Sequence, residues 1–318
     1  MLSLADGAIQ SLKVTTSIFE KEFPIIIITP LLMHGWQVPT GRNRSRAEYA
    51  EIRIPSIKGV IRYWWRALHV DLDVKELALQ EAKLFGGTGN VDALRSPLLL
   101  SLTASTSSTE KVQLCPHNTQ KMAEAPGIPQ DTEFRLKMAV LKKDEKLFLF
   151  YDSLIKVVLM LGGFGQRSRR GAGAIQLTTV WEDINEYTQG LKQLFVELGV
   201  VEKYNWNCSS GKVLALKQHY GANHPCLIGA WLGEAFSDAE AARKRISWAG
   251  KIANDPAKKQ YLGSTFKGRQ ASPLIATVKK IGQHYYPIIS EVATAKIVTD
   301  SNYIKARDNF LQIVGVAL

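Results

Sequence analysis

Along residues 20–182 the apolar pattern alternates between strand-like and helix-like segments in the order βαββαβ. A glycine-rich, arginine-rich run joins the last of these helices to the last strand, and 318 residues exceed what one hydrophobic core comfortably organises. These observations predict an α+β fold of two ferredoxin-like (RRM-like, βαββαβ) domains. The first is expected over residues 1–182. The second, over 183–318, is expected to be a degenerate, helix-rich version or a helical domain with one β-hairpin.

Each element has its own signal. Pro24 to Thr29 (PIIIIT) is a β-branched run too short for a helix, as expected of a central strand. Ser56 is placed to cap a helix over 57–70, where Ile57, Ile61, Trp64 and Leu68 recur at helical spacing. Residues 97–104 read as the second strand. Phe134, Leu136, Met138 and Val140 alternate with Arg135, Lys137 and Ala139 as the third. Leu147 to Leu161 is apolar nearly all round and stops at Gly162 and Gly163, which predicts a core helix. Residues 174–181 alternate again as the fourth strand. The long segment 107–131, with STSST (105–109) across its start and three prolines inside, reads as a mobile insertion. In the second half, residues 185–198, 226–236 and 238–253 are expected to be helical. Residues 272–280 and 284–292 are expected to pair as a hairpin turning at Ile281-Gly282-Gln283, and a helix over about 301–313 closes the chain.

Composition excludes several classes. With 46% hydrophobic and 22% charged residues the chain buries real cores, so disordered and collagen-like classes fall away. Its apolar runs are too short or too charged to span a membrane, and Asp6 interrupts any signal-peptide pattern. Cys115, Cys208 and Cys226 have no C-x-x-C spacing, so neither a disulfide framework nor a zinc ribbon is indicated and a cytoplasmic setting fits.

The informative quantity is charge. Forty Lys and Arg against 29 Asp and Glu give a formal +11, concentrated in three blocks. Residues 42–66 contain Arg42, Arg44, Arg46, Arg53, Lys58, Arg62 and Arg66 against two acids. Residues 243–280 contain ten cations, Lys267 and Arg269 among them, against Asp255 alone. Between them lies GGFGQRSRRGAGAI (162–175), with Arg167, Arg169 and Arg170 and no acid. On the first helix Lys58, Arg62 and Arg66 form a ridge with no acidic partner on the same helix, so the three repel and a phosphate backbone would relieve them. In the glycine run, Gly163 and Gly165 permit close backbone approach, exposed amides can form an anion nest, and arginine forks match phosphate oxygens. The run lacks G-x-x-x-x-G-K-[ST] and follows a helix, so a nucleotide loop fits it less well.

TPLLMHG (29–35), IPSIKGVIRYWWRAL (54–68), EAKLFGGTG (81–89) with SPLLL (96–100), GGFGQRSRRGAGAI (162–175) and GRQASPL (268–274), in this order, resemble the RAMP superfamily of CRISPR proteins. More narrowly they resemble the family of first-numbered Cmr subunits of type III-B effector complexes. The resemblance implies two ferredoxin-like domains, a glycine-rich loop that contacts RNA, and a place near the crRNA 3′ end of a multi-subunit complex whose target is cut by another subunit. It implies crRNA, target RNA and other Cmr subunits as partners, with no cofactor and no small-molecule substrate.

The sheet of a conventional RNA-recognition motif stacks bases on aromatics, but the corresponding positions here are aliphatic or cationic, so backbone recognition is preferred. The other reading is a metal-independent endoribonuclease using His34 in LLMHGW as acid or base. A third is an assembly subunit whose basic face meets an acidic protein. His219 and His224 near Cys226 lack helical spacing and a fourth ligand, so no metal site is expected.

Overall fold

A computed structural model describes residues 18–35, 49–88, 93–105, 108–117, 124–141, 144–206, 211–218, 222–254, 261–263 and 270–317. Arg42, Arg44, Arg46, Lys267 and Arg269 lie outside the described residues, as do Cys208 and His219.

The β-branched run does sit at the centre of a sheet. In β1 (Phe19–Ile27) the side chains of Phe23, Ile25 and Ile27 are buried while Glu20 and Glu22 face outward. After a long connection, α1 (Ile54–Leu68) buries Ile57, Ile61, Trp64 and Trp65, each contributing about 1.5–3 kcal/mol relative to exposure. This helix starts at Arg53 without a side-chain cap, and Pro55 sits in its first turn, so Ser56 lies inside the helix and does not cap it. A helix absent from the sequence expectation follows: α2 (Val74–Phe85), capped by the Asp73 carboxylate accepting from the amides of Lys75 and Glu76.

Two short strands, β2 (Gly87–Thr88) and β3 (Ala93–Leu94), lead into β4 (Leu98–Ser105). The segment expected to be a mobile insertion instead carries a hairpin, β5 (Glu110–Gln113) with β6 (Glu124–Gly127), anchored by buried Val112. The strand β7 (Glu133–Val140) alternates as predicted and leads to the core helix α3 (Glu145–Leu161). The fourth strand, β8 (Ile175–Leu177), is shorter than the predicted 174–181: beyond Leu177 the chain leaves β1 after the Thr178 amide bonds Pro24 oxygen. The sheet order is β4-β7-β1-β8, with every pair antiparallel.

The second half contains α4 (Ile184–Glu197), β9 (Tyr204–Trp206), β10 (Lys212–Leu216), β11 (Cys226–Leu232), α5 (Ala239–Ile252), β12 (Leu274–Ile281), β13 (His284–Ala293), α6 (Ala295–Val298) and α7 (Ser301–Ile313). The helix expected over 226–236 is the strand β11: Cys226, Leu227, Ala230 and Trp231 are buried between β13 and β10 in the middle of the sheet. A short apolar run buried on both faces has no period to separate strand from helix. This sheet is antiparallel too, ordered β12-β13-β11-β10-β9, and β11, α5, β12, β13 and α7 repeat the element order of β1, α1, β4, β7 and α3.

The two sheets meet through polar clamps. The buried Gln176 of β8 receives the Lys280 amide on Oε1 (2.9 Å) and donates from Nε2 to the Lys280 carbonyl (3.3 Å). Tyr187 of α4 donates to the Met160 carbonyl (3.1 Å), and one apolar cluster runs from β1, α1 and α3 through α4 to β11 and β13.

Lys279, fully buried at this junction, donates to the carbonyls of Ile175 (2.8 Å) and Gly162 (3.4 Å), and burial lowers its pKa from 10.5 to about 7. Between those values the unfolded chain binds more protons than the folded one, so stability rises with pH from about 7 to about 10.5. Below about 7 the cost of a buried charge is felt in full. Thermal unfolding of wild type and Lys279→Met across this range is expected to show the wild type gaining on the variant as pH rises. A constant difference would contradict it.

Candidate nucleic-acid interface

The run 162–174 folds back on the end of β1. Phe164 and Gly173 are joined by Phe164 N–H donating to the Gly173 carbonyl (2.9 Å), while Gln166 N donates to Leu32 oxygen (2.7 Å) and Gly173 N to Pro30 oxygen (2.9 Å). Thr29, fully buried, donates its hydroxyl to the Gly171 carbonyl (2.7 Å) and accepts from the Ala174 amide (3.0 Å). On the other side the Gly171 amide donates to Ala276 oxygen of β12 (2.9 Å). The run is therefore a packed seam between the sheets. Gly163 is buried in it, and Gly165, at φ 75°, is exposed at its turn. Among the described residues, the amides of Gly165, Arg167, Ser168 and Arg169 donate to no other backbone group.

The three arginines leave this seam at one tight turn, Ser168–Arg170 with Arg167 just before it, but they are not equivalent. Arg170 is structural: its guanidinium donates to Ser272 Oγ (3.2 Å), to the Arg169 carbonyl (3.1 Å) and to the Leu262 carbonyl. It lies against α5 where Gly250 leaves room, since a Cβ there would stand 2.7 Å from Arg170 Nε. Burial lowers its pKa to about 10, so it stays charged at neutrality. Arg169 donates to the Ser272 carbonyl (2.5 Å) and lies over the ring of Tyr63 on α1 (5.2 Å). Arg167, in the left-handed region at φ 63°, reaches Cys115 Sγ (3.2 Å), and its Nε is buried without a hydrogen-bond partner among the described residues.

The α1 ridge differs from the sequence expectation. Arg62 and Arg66 both bind Glu81 of α2, at 2.7 and 2.5 Å, so the acid missing from their own helix comes from the next one. Lys58 donates to Ser96 Oγ (2.7 Å) and the Leu98 carbonyl (3.2 Å); burial, helped by Arg62, lowers its pKa. Arg62 and Arg66 still show about a third of their side chains to solvent, and Glu81 offsets part of the mutual repulsion inferred from the sequence while Arg62 still acts on Lys58. On the first sheet, Lys137 pairs with Glu20 (2.6 Å) and Arg135 with Glu22 (3.4 Å), so the polar face of β7 is a ladder of ion pairs.

What the fold assembles instead is a cleft of about 430 Å³ between the arginine turn, α5, and Leu262, Gly263, Gln270 and Ser272. Arg167, Arg169, Arg170, Lys251 and His117 line it, with Ser247, Asn254 and Gln270, and among the described residues no carboxylate does. His117 Nδ1 lies 2.7 Å from Ser247 Oγ, and burial followed by the nearby Lys251 and Arg167 charges lowers its pKa. The chemistry of such a cleft is anion binding by fixed donors.

Sequence reasoning placed Arg167, Arg169 and Arg170 in the site but missed Cys115, His117, Ser247, Trp248 and Lys251. A signal existed for the α5 part: Lys244, Trp248 and Lys251 stand at i, i+4 and i+7 on one helix face. His34, weighed as a catalytic group, donates from Nε2 to the Pro126 carbonyl (2.7 Å), which ties it to β6. His224 Nε2 donates to the His69 carbonyl (3.2 Å) and stands near Cys226; among the described residues no cluster of three potential metal ligands occurs. No helix among the described residues is long and apolar enough to cross a membrane.

Comparison with known proteins gives a consistent picture. The RAMP superfamily signature matches residues 25–176. The CRISPR system Cmr subunit Cmr1-2 of Pyrococcus furiosus is 24% identical over 192 residues, which are 52% of this chain and 98% of that protein. Cmr1-1 of the same organism is 27% identical over 181 residues, 48% of this chain and 52% of that one. The apo crystal structure of Cmr1 from Pyrococcus furiosus superposes with a TM-score of 0.60 at 20% identity, covering 93% of this chain and 99% of the other. A chain of the type III-B Cmr-beta complex bound to cognate target RNA and AMPPnP, in the presence of single-stranded DNA, matches with a TM-score of 0.53 at 13% identity, covering 92% and 98%.

Proposed function

We propose that this chain, whose residues 25–176 match the RAMP superfamily, is a non-catalytic RNA-binding subunit of a cytoplasmic type III-B Cmr effector complex. It holds the crRNA or target RNA backbone near the crRNA 3′ end, beside other Cmr subunits. The observation that carries this reading is the cationic cleft at the arginine turn, which no carboxylate lines among the described residues and where the buried Nε of Arg167 has no acceptor among them. Five cationic or ionisable donors around one cleft suit a phosphate backbone. Phosphate contacts position a strand without reading its bases, as a subunit serving any guide sequence requires.

The finer architecture belongs to the same proposal. The order β4-β7-β1-β8, joined by α1 and α3 crossovers, supports a ferredoxin-like first domain ending near residue 182. In the second, β10 occupies beside β11 the place that β8 holds beside β1, which supports a permuted version of the same plan over 183–318. Arg42, Arg44, Arg46, Lys267 and Arg269, outside the described residues, remain proposed contributors to the interface.

The test is incubation of the purified full chain, and of the reconstituted complex, with labelled repeat-containing RNA. Bound, full-length RNA is expected from wild type and from His34→Ala alike. A discrete product lost in His34→Ala would replace this reading with the endoribonuclease one.

A further inference from the structure

The cationic cleft adjoins a second, chemically different one. Gln113, Pro116, His117, Phe236, Ala241, Lys244, Arg245 and Trp248 enclose about 630 Å³ on the outer face of α5, and His117 lines both clefts. Trp248, among the largest apolar side chains left in the open, is 42% exposed, although a ring of that size ordinarily goes to the core. Its neighbours are aromatic and cationic. The His117 ring lies 6.1 Å away at 59°, Lys251 Nζ stands 5.6 Å from the Trp248 ring centre, and Arg245 lies 5.7 Å from that of Phe236.

Two of the four positions on this face are held in place by the fold. Ser247 fixes His117 through the 2.7 Å contact, and Arg245 is paired with Glu234 (3.0 Å), so its stem walls the cleft while its charge is met. Lys244 is exposed and makes no ion pair among the described residues. Among the described residues no carboxylate lines either cleft. The arginine turn with Lys251 of α5 thus offers cations in one cleft and Trp248 an open indole in the next, which matches the alternation of phosphate and base along a single strand.

We infer that Trp248, backed by His117 and Lys251, stacks an unpaired RNA base in the second cleft while the adjoining phosphate sits in the cleft of Arg167 and Lys251. This rests on the RNA-binding reading above and deepens it, since it adds a base-stacking subsite on α5 to a subunit otherwise expected to contact only the backbone. Stacking on an indole is tolerant of sequence because every base has a π face, so the subsite is compatible with a variable guide.

The experiment compares wild type, Trp248→Ala and Trp248→Phe, as full chain and within the reconstituted complex, for binding of single-stranded RNA and of an abasic ribose-phosphate oligomer of equal length. Trp248→Ala is expected to weaken RNA binding by about 5- to 100-fold, to leave abasic binding unchanged, and to be largely rescued by Trp248→Phe. RNA carrying 2-aminopurine at successive positions is expected to lose fluorescence at one of them on binding wild type, a readout that does not depend on how the variants fold. Equal losses for both oligomers, or no quenched position, would overturn the subsite and leave the phosphate cleft standing. Absence of RNA binding by wild type in both settings would overturn the RNA reading itself.

Discussion

Gly173→Ala is expected to lower the thermal unfolding midpoint by at least about 6 °C, whereas Gly199→Ala, at nearly the same backbone angle, lowers it by only about 2 °C. Gly173 has φ 64° and Gly199 φ 69°, so both pay the left-handed penalty of about 1 kcal/mol for a side chain. They differ in surroundings. A Cβ on Gly173 would overlap the carbonyl oxygen of Phe164, the residue whose amide Gly173 accepts, while nothing lies within 4 Å of one on Gly199. Relieving that overlap means breaking the seam that holds the arginine turn against β1 and β12. The total is about 3 kcal/mol, or roughly 2 °C for each kcal/mol in a chain of this size. Equal shifts for the two variants, measured by calorimetry, would show that the close approach at Gly173 is not tight.

The arginine turn is expected to divide into a structural and a binding part. Arg170→Ala loses charge-assisted hydrogen bonds to Ser272 Oγ and the carbonyls of Leu262 and Arg169, and opens a void against Gly250; it is expected to cost about 2–4 kcal/mol of stability. Arg167→Ala gives up one contact to a thiol and an unpartnered Nε, so its stability is expected to stay within about 1 kcal/mol of wild type. Its RNA affinity, in contrast, is expected to fall about tenfold, the loss of one charge-assisted phosphate contact of ~1.5 kcal/mol. Denaturant unfolding and RNA titration of the two variants separate the roles, and a reversed pattern would mean that Arg167 is the anchor and Arg170 the ligand.

Much of this was legible along the chain, and the parts that were not have specific causes. PIIIIT, the alternation of Phe134 to Val140 and the apolar helix ending at Gly162 each carry a period or a stop that local chemistry sets, and they form β1, β7 and α3. Ser301–Ile313 and the hairpin around Gly282 were readable for the same reason. Cys226–Leu232 was not, because a seven-residue apolar run in the middle of a sheet has no polar face. The site shows the same division. The concentration of glycine and arginine in 162–175 pointed to the right turn, but nothing local could reveal that Glu81, 15 and 19 residues from Arg66 and Arg62, pairs with both arginines of the α1 ridge. Nor could it bring His117 of the insertion to Ser247 of α5, 130 residues on. Charge density along a sequence finds basic blocks; which cations are left for a ligand is decided by packing.

The most direct test of the phosphate cleft is the salt dependence of single-stranded RNA binding by wild type and by the Arg167→Ala/Lys251→Ala double variant. If both cations neutralise phosphates, the slope of log affinity against log salt is expected to be shallower in the double variant by about 1.4, or ~0.7 per cation removed. The same slope and the same affinity in both proteins would contradict the assignment and remove the cleft from the RNA path.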